Sequence, residues 1–165
     1  SELTSRDLLW VDTAGAGFEE EQDPVTLSTF NHGEVRVVAQ AVTQLLRDGV
    51  RPEDIGVIAP YSAQVTRLSD ELPDIEVATV NAFQGREKEA IVCSFVRSNS
   101  DGELGFVSDP RRLTVAVTRA RRFLLCVGDS ATLSTSRDFA RVMDRFQVLE
   151  AWATVWEDPW AVTLD

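Results

Sequence analysis

Short apolar runs and stretches of helical spacing alternate along most of the chain. The apolar runs are continuous, which is typical of strands buried on both faces of a sheet. They lie at residues 8–11, 55–59, 75–80, 90–96 and 123–127. Strands that alternate with helices predict an α/β fold, in which helices cover both faces of a mainly parallel sheet through right-handed crossovers.

The segment after the first apolar run carries the signals of a helix start. Asn31 and Glu34 fit a capping box, in which Asn31 caps the helix and the Glu34 side chain reaches back to the backbone of Asn31. Apolar residues then recur at helical spacing over 35–46, and Gly49 is expected to end the helix. The pattern predicts one long amphipathic helix before the second strand.

Three further helices are predicted from the same kinds of signal. Ser62 is expected to cap one of them and Pro73 to end it, whereas Pro110 suits the first turn of the next. Residues 137–147 show the spacing of the last helix, and residues 97–109 are predicted as a loop or a short hairpin. The helix after Pro110 is expected to have four residues on its apolar face: Leu113, Ala116, Val117 and Ala120.

The composition indicates a soluble globular protein. The chain has 165 residues, of which 44% are hydrophobic and 26% are charged. No apolar run approaches the roughly 18 residues of a membrane span, and no signal peptide is visible, so we expect no membrane association. Cys93 and Cys126 lie in apolar runs, which indicates buried thiols in a reducing, cytoplasmic compartment. Together with His32 they are too few for a zinc site, and no metal ligands are expected.

The end of the chain differs in character from the rest. We expect residues 1–148 to form one domain and residues 149–165 to form a tail. The tail holds three tryptophans at a spacing of four: Trp152, Trp156 and Trp160. Pro159 prevents a continuous helix there. The tryptophans are expected to pack on the domain, and the alternative is a partner-binding peptide.

Positive charge is concentrated in one segment of an acidic chain. The net charge is −11, but residues 86–122 hold eight basic and five acidic residues. At about 100° per residue, Arg112, Arg119 and Arg122 fall within about a quarter turn of one another on a helix. Guanidinium groups bind phosphate in a bidentate manner, so this cluster suits a polyanion. The alternative is a solvated helix edge paired with acidic neighbours such as Asp109.

The basic residues also exclude one class of enzyme. A P-loop requires the pattern GxxxxGK[ST], because its lysine and backbone amides hold the phosphates. Lys88 is the single lysine of the chain, and Glu87 precedes it. This chain by itself is therefore not a P-loop ATPase, and we expect it neither to hydrolyse ATP nor to bind it tightly.

The segment 79–89 leaves a predicted strand and turns at a glycine. In a parallel sheet, ligands bind at the carboxyl ends of the strands, where these residues are expected to lie. The polar and backbone groups suited to phosphate and sugar contacts belong to four residues: Thr79, Gln84, Gly85 and Glu87. The alternative is a plain connecting loop.

Three blocks, read in order, resemble a known family. Residues 55–64, 77–90 and 111–122 are similar to motifs IV, V and VI of superfamily 1 helicases, in the nonsense-mediated-decay and immunoglobulin mu-binding branch. Residues 11–15 and 94–99 also resemble that branch. The resemblance implies the second RecA-like domain of a two-domain motor, a three-layer α/β domain whose partner domain carries Walker A and Walker B.

The resemblance also implies roles for single residues. It makes Arg119 the arginine finger that reaches the γ-phosphate across the interdomain cleft. Nucleotide contacts are expected of five residues: Tyr61, Gln64, Gly85, Glu87 and Arg122. Contacts with the backbone of a single strand are expected of five others: Pro60, Ser62, Thr79, Val80 and Asn99.

The chain departs from the family pattern at two positions. Asn81 stands where the branch usually has aspartate in motif V, which removes a negative charge but keeps the shape of the side chain. Val65 stands where some relatives carry an arginine after the motif IV glutamine, and Arg67 follows two residues later. A second arginine for the γ-phosphate is therefore not supplied at the usual position.

The resemblance favours the C-terminal motor domain of an ATP-dependent 5′-to-3′ DNA or RNA helicase. The implied cofactor is ATP with Mg²⁺, bound mainly by the first RecA-like domain, which is absent from these 165 residues. The implied partners are that domain and single-stranded DNA or RNA. The alternative is a non-catalytic α/β module that docks a protein or nucleic acid, which Asn81 and the acidic charge would favour. A P-loop and Walker B upstream in the parent chain would distinguish the two.

Overall fold

A six-stranded sheet forms the centre of the computed structural model, which describes residues 7–83 and 86–157. The strands are β1 (Leu8–Asp12), β2 (Glu21–Gln22), β3 (Thr29–Phe30), β4 (Ile55–Ala59), β5 (Glu76–Thr79), β6 (Lys88–Ser94), β7 (Ala120–Gly128) and β8 (Trp152–Thr154). The α-helices are α1 (His32–Arg47), α2 (Ser62–Glu71), α3 (Pro110–Thr118), α4 (Ser130–Leu133) and α5 (Arg137–Val148). Short 3₁₀ turns lie at Pro52–Asp54 and Gly105–Ser108.

The strand order in the main sheet is β5–β4–β6–β7–β1–β8, and all neighbouring pairs are parallel. The short strands β2 and β3 form a separate antiparallel pair. Each predicted apolar run became a strand, because continuous apolar residues are suited to a sheet that is buried on both faces. The predicted α/β fold with a mainly parallel sheet is confirmed.

Two hydrophobic clusters lie on the two faces of the sheet. On one face, α1 and α2 pack over alternate strand residues such as Val57 and Leu125. On the other face, α3, α4 and α5 pack over the intervening residues, such as Ile58 and Leu124. The predicted buried thiols of Cys93 and Cys126 belong to this second cluster, and both cysteines are free. The layers are therefore helix, sheet and helix.

The start of α1 confirms half of the predicted capping box. The Asn31 side chain accepts a hydrogen bond from the Glu34 backbone N–H at 3.1 Å, and α1 ends just before Gly49, whose φ is +94°. Glu34 does not reach back to Asn31. The Asn31 backbone N–H instead donates to the Gln64 side chain at 2.9 Å, because α2 packs close enough to supply an acceptor.

The prediction that Ser62 caps α2 is wrong, because Ser62 is the first residue of the helix and Tyr61 occupies the N-cap position without a side-chain bond. The hydrogen-bond acceptor for the first turn of α2 comes from a residue far away in the sequence. Ser28, which precedes β3, accepts a hydrogen bond from the Ala63 backbone N–H at 3.0 Å. A distant residue thus satisfies one of the helix donors that a local cap would satisfy.

The helix α3 is shorter than its spacing predicted. It ends at Thr118, and Ala120 already begins β7. Arg122 therefore lies on a strand and does not share a helix face with Arg112 and Arg119. The helix stops there because the following residues join the sheet, where Ala120 pairs with the first residue of β6.

The segment after residue 148 continues the main sheet. The strand β8 adds to the edge beside β1, and the Trp152 ring stacks on the Trp10 ring with centroids 5.7 Å apart. Trp156 is 71% exposed, whereas Trp160 lies outside the described residues. The prediction that the tail packs its tryptophans on the domain thus holds for Trp152, and the domain boundary at residue 148 stays a prediction. None of the helices that the structure describes is long and apolar enough to cross a membrane.

Candidate nucleotide and nucleic-acid interface

The residues predicted to bind ligands divide between the two edges of the parallel sheet. The carboxyl edge, where strands end, lies next to Pro60, Tyr61, Ser62, Thr79 and Val80, which follow or close β4 and β5. At the amino edge, where strands begin, are three others: Glu87, Arg119 and Arg122. Glu87 was predicted at the carboxyl edge, and that placement is wrong. Because β5 and β6 are parallel, the chain between them must return to the amino edge before β6 begins.

The connection from β5 to β6 is anchored in the core at Phe83. The chain turns after Thr79, whose hydroxyl accepts a hydrogen bond from the Ala82 backbone N–H at 3.4 Å. The Phe83 ring is fully buried and lies over Gly56 of β4, where a Cβ atom would come within 2.7 Å of the ring. Gln84 and Gly85, two predicted contact residues of this connection, lie outside the described residues.

Arg119 lies at the amino edge, directly after α3. Its carbonyl accepts a hydrogen bond from the Lys88 backbone N–H at 3.1 Å, which holds it beside the start of β6. Its Nη2 donates to the Thr118 hydroxyl at 3.1 Å. Its Nε is buried and has no hydrogen-bond partner among the described residues. A buried donor without a partner is costly, and no described residue offsets this cost. The Arg119 side chain as a whole is only partly buried, so its other N–H groups can meet an anionic group supplied from outside the chain.

Glu87 and Arg122 are more exposed than Arg119. Arg121 donates to the Glu87 carboxylate at 3.3 Å and also contacts Glu89 at 3.5 Å. The Arg122 side chain is 85% exposed and lies 3.2 Å from Glu89. Exposed ion pairs of this kind contribute little to stability, so a ligand could replace them at small cost. Within the described ranges, no group of three or more His, Cys, Asp or Glu residues could hold a metal ion.

A pocket of about 140 Å³ opens at the carboxyl edge. Its lining brings together three residues predicted to contact a single strand: Pro60, Thr79 and Val80. It also includes three residues to which no such role was assigned: Asn81, Phe106 and Arg112. Ser62 is exposed at the start of α2 and contacts the Ser28 hydroxyl at 3.3 Å. The structure thus brings three of the five predicted strand contacts to one pocket, whereas Ser62 and Asn99 are not part of its lining.

Tyr61 lies at this same edge rather than beside Glu87 and Arg119. Its ring packs against Phe106, and its hydroxyl accepts a hydrogen bond from Arg97 Nη1 at 3.0 Å. Burial raises the pKa of the Tyr61 hydroxyl above its ordinary value of 10.0. The phenol is therefore neutral near pH 7, and its contacts hold the loop that carries Phe106.

Asn99 is held by the loop around it. Its Nδ2 donates to the Glu20 carboxylate at 2.7 Å and to the Glu103 carbonyl at 2.8 Å. The same Glu20 oxygen accepts hydrogen bonds from Arg97 Nε at 3.0 Å and from the Ser98 backbone N–H at 2.9 Å. Glu20 thus joins Arg97, Ser98 and Asn99 through one carboxylate oxygen.

Gln64 is completely buried. Its Oε1 accepts from the Asn31 backbone N–H, and its Nε2 donates to the Ser94 hydroxyl at 3.0 Å and to the Asn31 carbonyl at 3.2 Å. Because this amide is completely buried, a nucleotide could contact it only after the residues packed around it had moved. In the described structure, Gln64 joins α2 to the start of α1 and to the end of β6.

Glu34 belongs to the same buried network, whereas the sequence assigned it only a role in the capping box. Its Oε1 accepts from the Ser94 hydroxyl at 2.8 Å and from the Val96 backbone N–H at 3.0 Å. Val96 has a φ of +71°, which is strained for a β-branched residue. Asn31 Nδ2 donates to the Val96 carbonyl at 3.0 Å, so both backbone polar groups of the strained residue are hydrogen-bonded. Burial raises the pKa of Glu34 from 4.5 to about 8.

Comparisons with known proteins identify the family of this chain. The family described as an AAA domain matches residues 1–131. DNA-binding protein SMUBP-2 of Rattus norvegicus is 45% identical over 150 residues, which cover 88% of this chain and 15% of the rat protein. DNA polymerase alpha-associated DNA helicase A of Saccharomyces cerevisiae is 46% identical over 138 residues, which cover 79% of this chain and 20% of the yeast protein.

A solved structure shares the fold. The C-terminal domain of a possible DNA helicase from Lactobacillus plantarum WCFS1 has a TM-score of 0.53 and 13% sequence identity, and the match covers 90% of this chain and 83% of that one. The chain spans only a fifth or less of the two relatives above. It belongs to the AAA domain family and, within it, to the superfamily 1 helicases of the nonsense-mediated-decay and immunoglobulin mu-binding branch, as a C-terminal RecA-like domain.

Proposed function

We propose that the chain works as the C-terminal motor domain of an ATP-dependent helicase with 5′-to-3′ polarity on single-stranded DNA or RNA. The observation that carries the proposal is the guanidinium of Arg119, which lies at the amino edge with a buried Nε that no described residue satisfies. The partly exposed N–H groups of the same guanidinium suit a phosphate that arrives with a partner domain. The similarity to a DNA helicase of Saccharomyces cerevisiae supports the same proposal.

Bound ATP with Mg²⁺ would supply the phosphoryl group whose transfer to water drives the motor, and the first RecA-like domain would hold most of it. Arg119 would stabilise the negative charge that develops on the transferred group. Glu87 and Arg122 lie at the same edge and would contact the nucleotide after giving up exposed ion pairs. Tyr61 and Gln64 would act from farther away, by holding the loops of the carboxyl edge.

The single strand would run along the carboxyl edge. Pro60, Ser62, Thr79 and Val80 would contact its sugar–phosphate backbone, and Asn99 would hold the neighbouring loop. Residues 80–87 connect this edge to the edge that carries Arg119. A displacement of the residues at one end of this connection would therefore displace those at the other end. This is a physical route by which ATP hydrolysis could be coupled to movement along the strand.

The proposal is tested by replacing the guanidinium in the full-length protein that carries this domain. Arg119→Ala should lower the strand-stimulated kcat of ATP hydrolysis by roughly 10³-fold or more, as removal of other arginine fingers does. Arg119→Lys should restore little, because an ammonium group lacks the planar fork. Steady-state ATPase rates would be measured with and without a single-stranded oligonucleotide.

The matched control is Arg141→Ala, which removes an exposed arginine from α5 and should leave turnover and melting unchanged. The melting temperature of Arg119→Ala should also stay near that of the wild type, because the substitution leaves no charged partner unpaired. A kcat within a few-fold of the wild-type value, or an unfolded Arg119→Ala variant, would make Arg119 a structural residue. A full-length protein without ATPase activity would favour the docking-module alternative.

A further inference from the structure

Phe106 is a large aromatic side chain that the fold leaves exposed at the mouth of the carboxyl-edge pocket. It lies on the 3₁₀ turn Gly105–Ser108 and is 44% exposed, whereas Val107 beside it is buried. The sequence predicted a loop or a short hairpin at this position and assigned no ligand contact to Phe106. A ring kept at the surface beside a pocket, in a domain that buries most of its aromatic residues, requires an explanation.

The ring is held in place from two sides. The Tyr61 ring lies with its centroid 4.6 Å away, and the Tyr61 hydroxyl is itself bonded to Arg97. The Arg112 guanidinium lies 4.7 Å from the centroid of Phe106, and its Nη1 donates to the Phe106 carbonyl at 3.4 Å. Phe106 is therefore preorganised, so a ligand that stacks on it would have little ordering entropy to overcome.

The neighbours of the ring suit a nucleic-acid strand. Arg112 provides a positive charge at the same pocket, and its 3.8 Å pair with Asp109 is partly exposed and weak. Thr79 and Asn81 provide a hydroxyl and an amide on the pocket wall. An aromatic face next to a guanidinium and small polar groups matches the way that single strands are bound, by base stacking together with backbone contacts.

We propose that Phe106 is the stacking platform for one nucleobase of the bound single strand, with Arg112 at the adjoining phosphate. This inference rests on the proposed function, because it places a base-binding residue in the same groove as the proposed backbone contacts. Stacking accepts any base, so the platform adds affinity without reading the sequence.

The test uses the full-length protein and two labelled strands of equal length, an oligothymidylate and an abasic oligomer with the same phosphates. Phe106→Ala should weaken binding of the oligothymidylate by about 5- to 100-fold, the range expected for one stacked base. Binding of the abasic oligomer should stay unchanged. Phe106→Trp should keep or increase the affinity for the oligothymidylate. Fluorescence anisotropy gives the Kd in each case.

Two further variants serve as controls. Phe106→Leu keeps an apolar side chain but removes the ring, so it should lose affinity as Phe106→Ala does while melting like the wild type. Leu149→Ala removes a comparably exposed apolar side chain far from the pocket and should change neither Kd. Equal losses for both strands, or full affinity in Phe106→Leu, would overturn the platform. A wild-type protein that binds neither strand would instead contradict the proposed function itself.

Discussion

Glu34 shows how much one buried side chain contributes to this domain. Its carboxyl is completely buried and holds the Ser94 hydroxyl and the strained Val96 peptide. Its second oxygen, Oε2, has no hydrogen-bond partner among the described residues. That oxygen can carry the proton of a neutral carboxyl, which agrees with a pKa raised by burial to about 8. Glu34 is therefore a neutral hydrogen-bonding group at pH 7 rather than a charge.

The raised pKa predicts that stability falls as the pH rises. The folded-state pKa of Glu34 is about 8 and its ordinary value is 4.5, so between these values the folded chain binds more protons than the unfolded chain. The free energy of unfolding should therefore decrease from about pH 5 to pH 8, by at most about 1.4 kcal/mol per pH unit. Denaturant unfolding at several pH values would measure this slope.

Glu34→Gln should flatten this dependence, because an amide has the same shape and does not titrate. Glu19→Gln changes an exposed carboxylate in the nearby acidic loop and should leave the slope as it is. If Glu34→Gln keeps the wild-type slope between pH 5 and pH 8, another group is responsible for it.

At the scale of elements, the connection from β5 to β6 depends on a close contact between Phe83 and Gly56. It must cross from the carboxyl edge back to the amino edge within residues 80–87, and Phe83 fixes it on the way by packing over Gly56. A Cβ at Gly56 would lie 2.7 Å from Phe83 Cζ and 2.9 Å from Ile91 Cδ1. Glycine is required here by close approach of a side chain rather than by its backbone angles.

Gly56→Ala should therefore destabilise the domain by about 1–3 kcal/mol, the usual cost of overpacking a core. Thermal or denaturant unfolding would measure the loss. The matched test is the double variant that combines Gly56→Ala with Phe83→Leu. Because the smaller side chain should relieve the clash, Gly56→Ala should lower the free energy of unfolding by less in the Phe83→Leu background. Equal costs in both backgrounds would show that the ring is not what Gly56 accommodates.

The charge distribution of the whole molecule limits what the chain can do alone. Its net charge of −11 opposes a polyanion. In the proposed function, the carboxyl-edge pocket is one part of a groove that the first domain completes. Arg112 is the basic residue that lines this pocket. Strand binding by these 165 residues should therefore be weak and should depend on a few phosphate contacts.

We expect the affinity of the 165-residue chain for a labelled single strand to fall steadily as salt is raised, because phosphate contacts release counterions. Arg112→Ala should reduce the slope of log K against log salt by about one, whereas Arg141→Ala should not. Anisotropy titrations over a range of salt concentrations would measure both slopes. Tight binding that is insensitive to salt would contradict the partial-groove picture.

The sequence by itself determined the order along the chain of five of the six strands of the main sheet and of the four longer helices, because burial on two faces leaves continuous apolar runs and burial on one face leaves helical spacing. The short elements β2, β3, α4 and β8 lack such a pattern and were not predicted. Its three motif blocks also indicated the family, and they named Thr79 and Arg119 as candidate residues. These features depend on neighbours within a few positions along the chain. They can therefore be predicted without knowing what lies across the fold.

Only the tertiary structure decided how the candidates are grouped. It separated Glu87 from Thr79, ended α3 before Arg122, and joined Glu34 to Val96 across 62 positions of the chain. It also left Phe106 exposed beside Arg112. Each of these outcomes depends on which segments meet in space, and a parallel sheet brings together segments that are far apart in sequence. Local sequence patterns do not specify these contacts between distant segments. The division of the site between two edges of the sheet is therefore seen only in the folded chain.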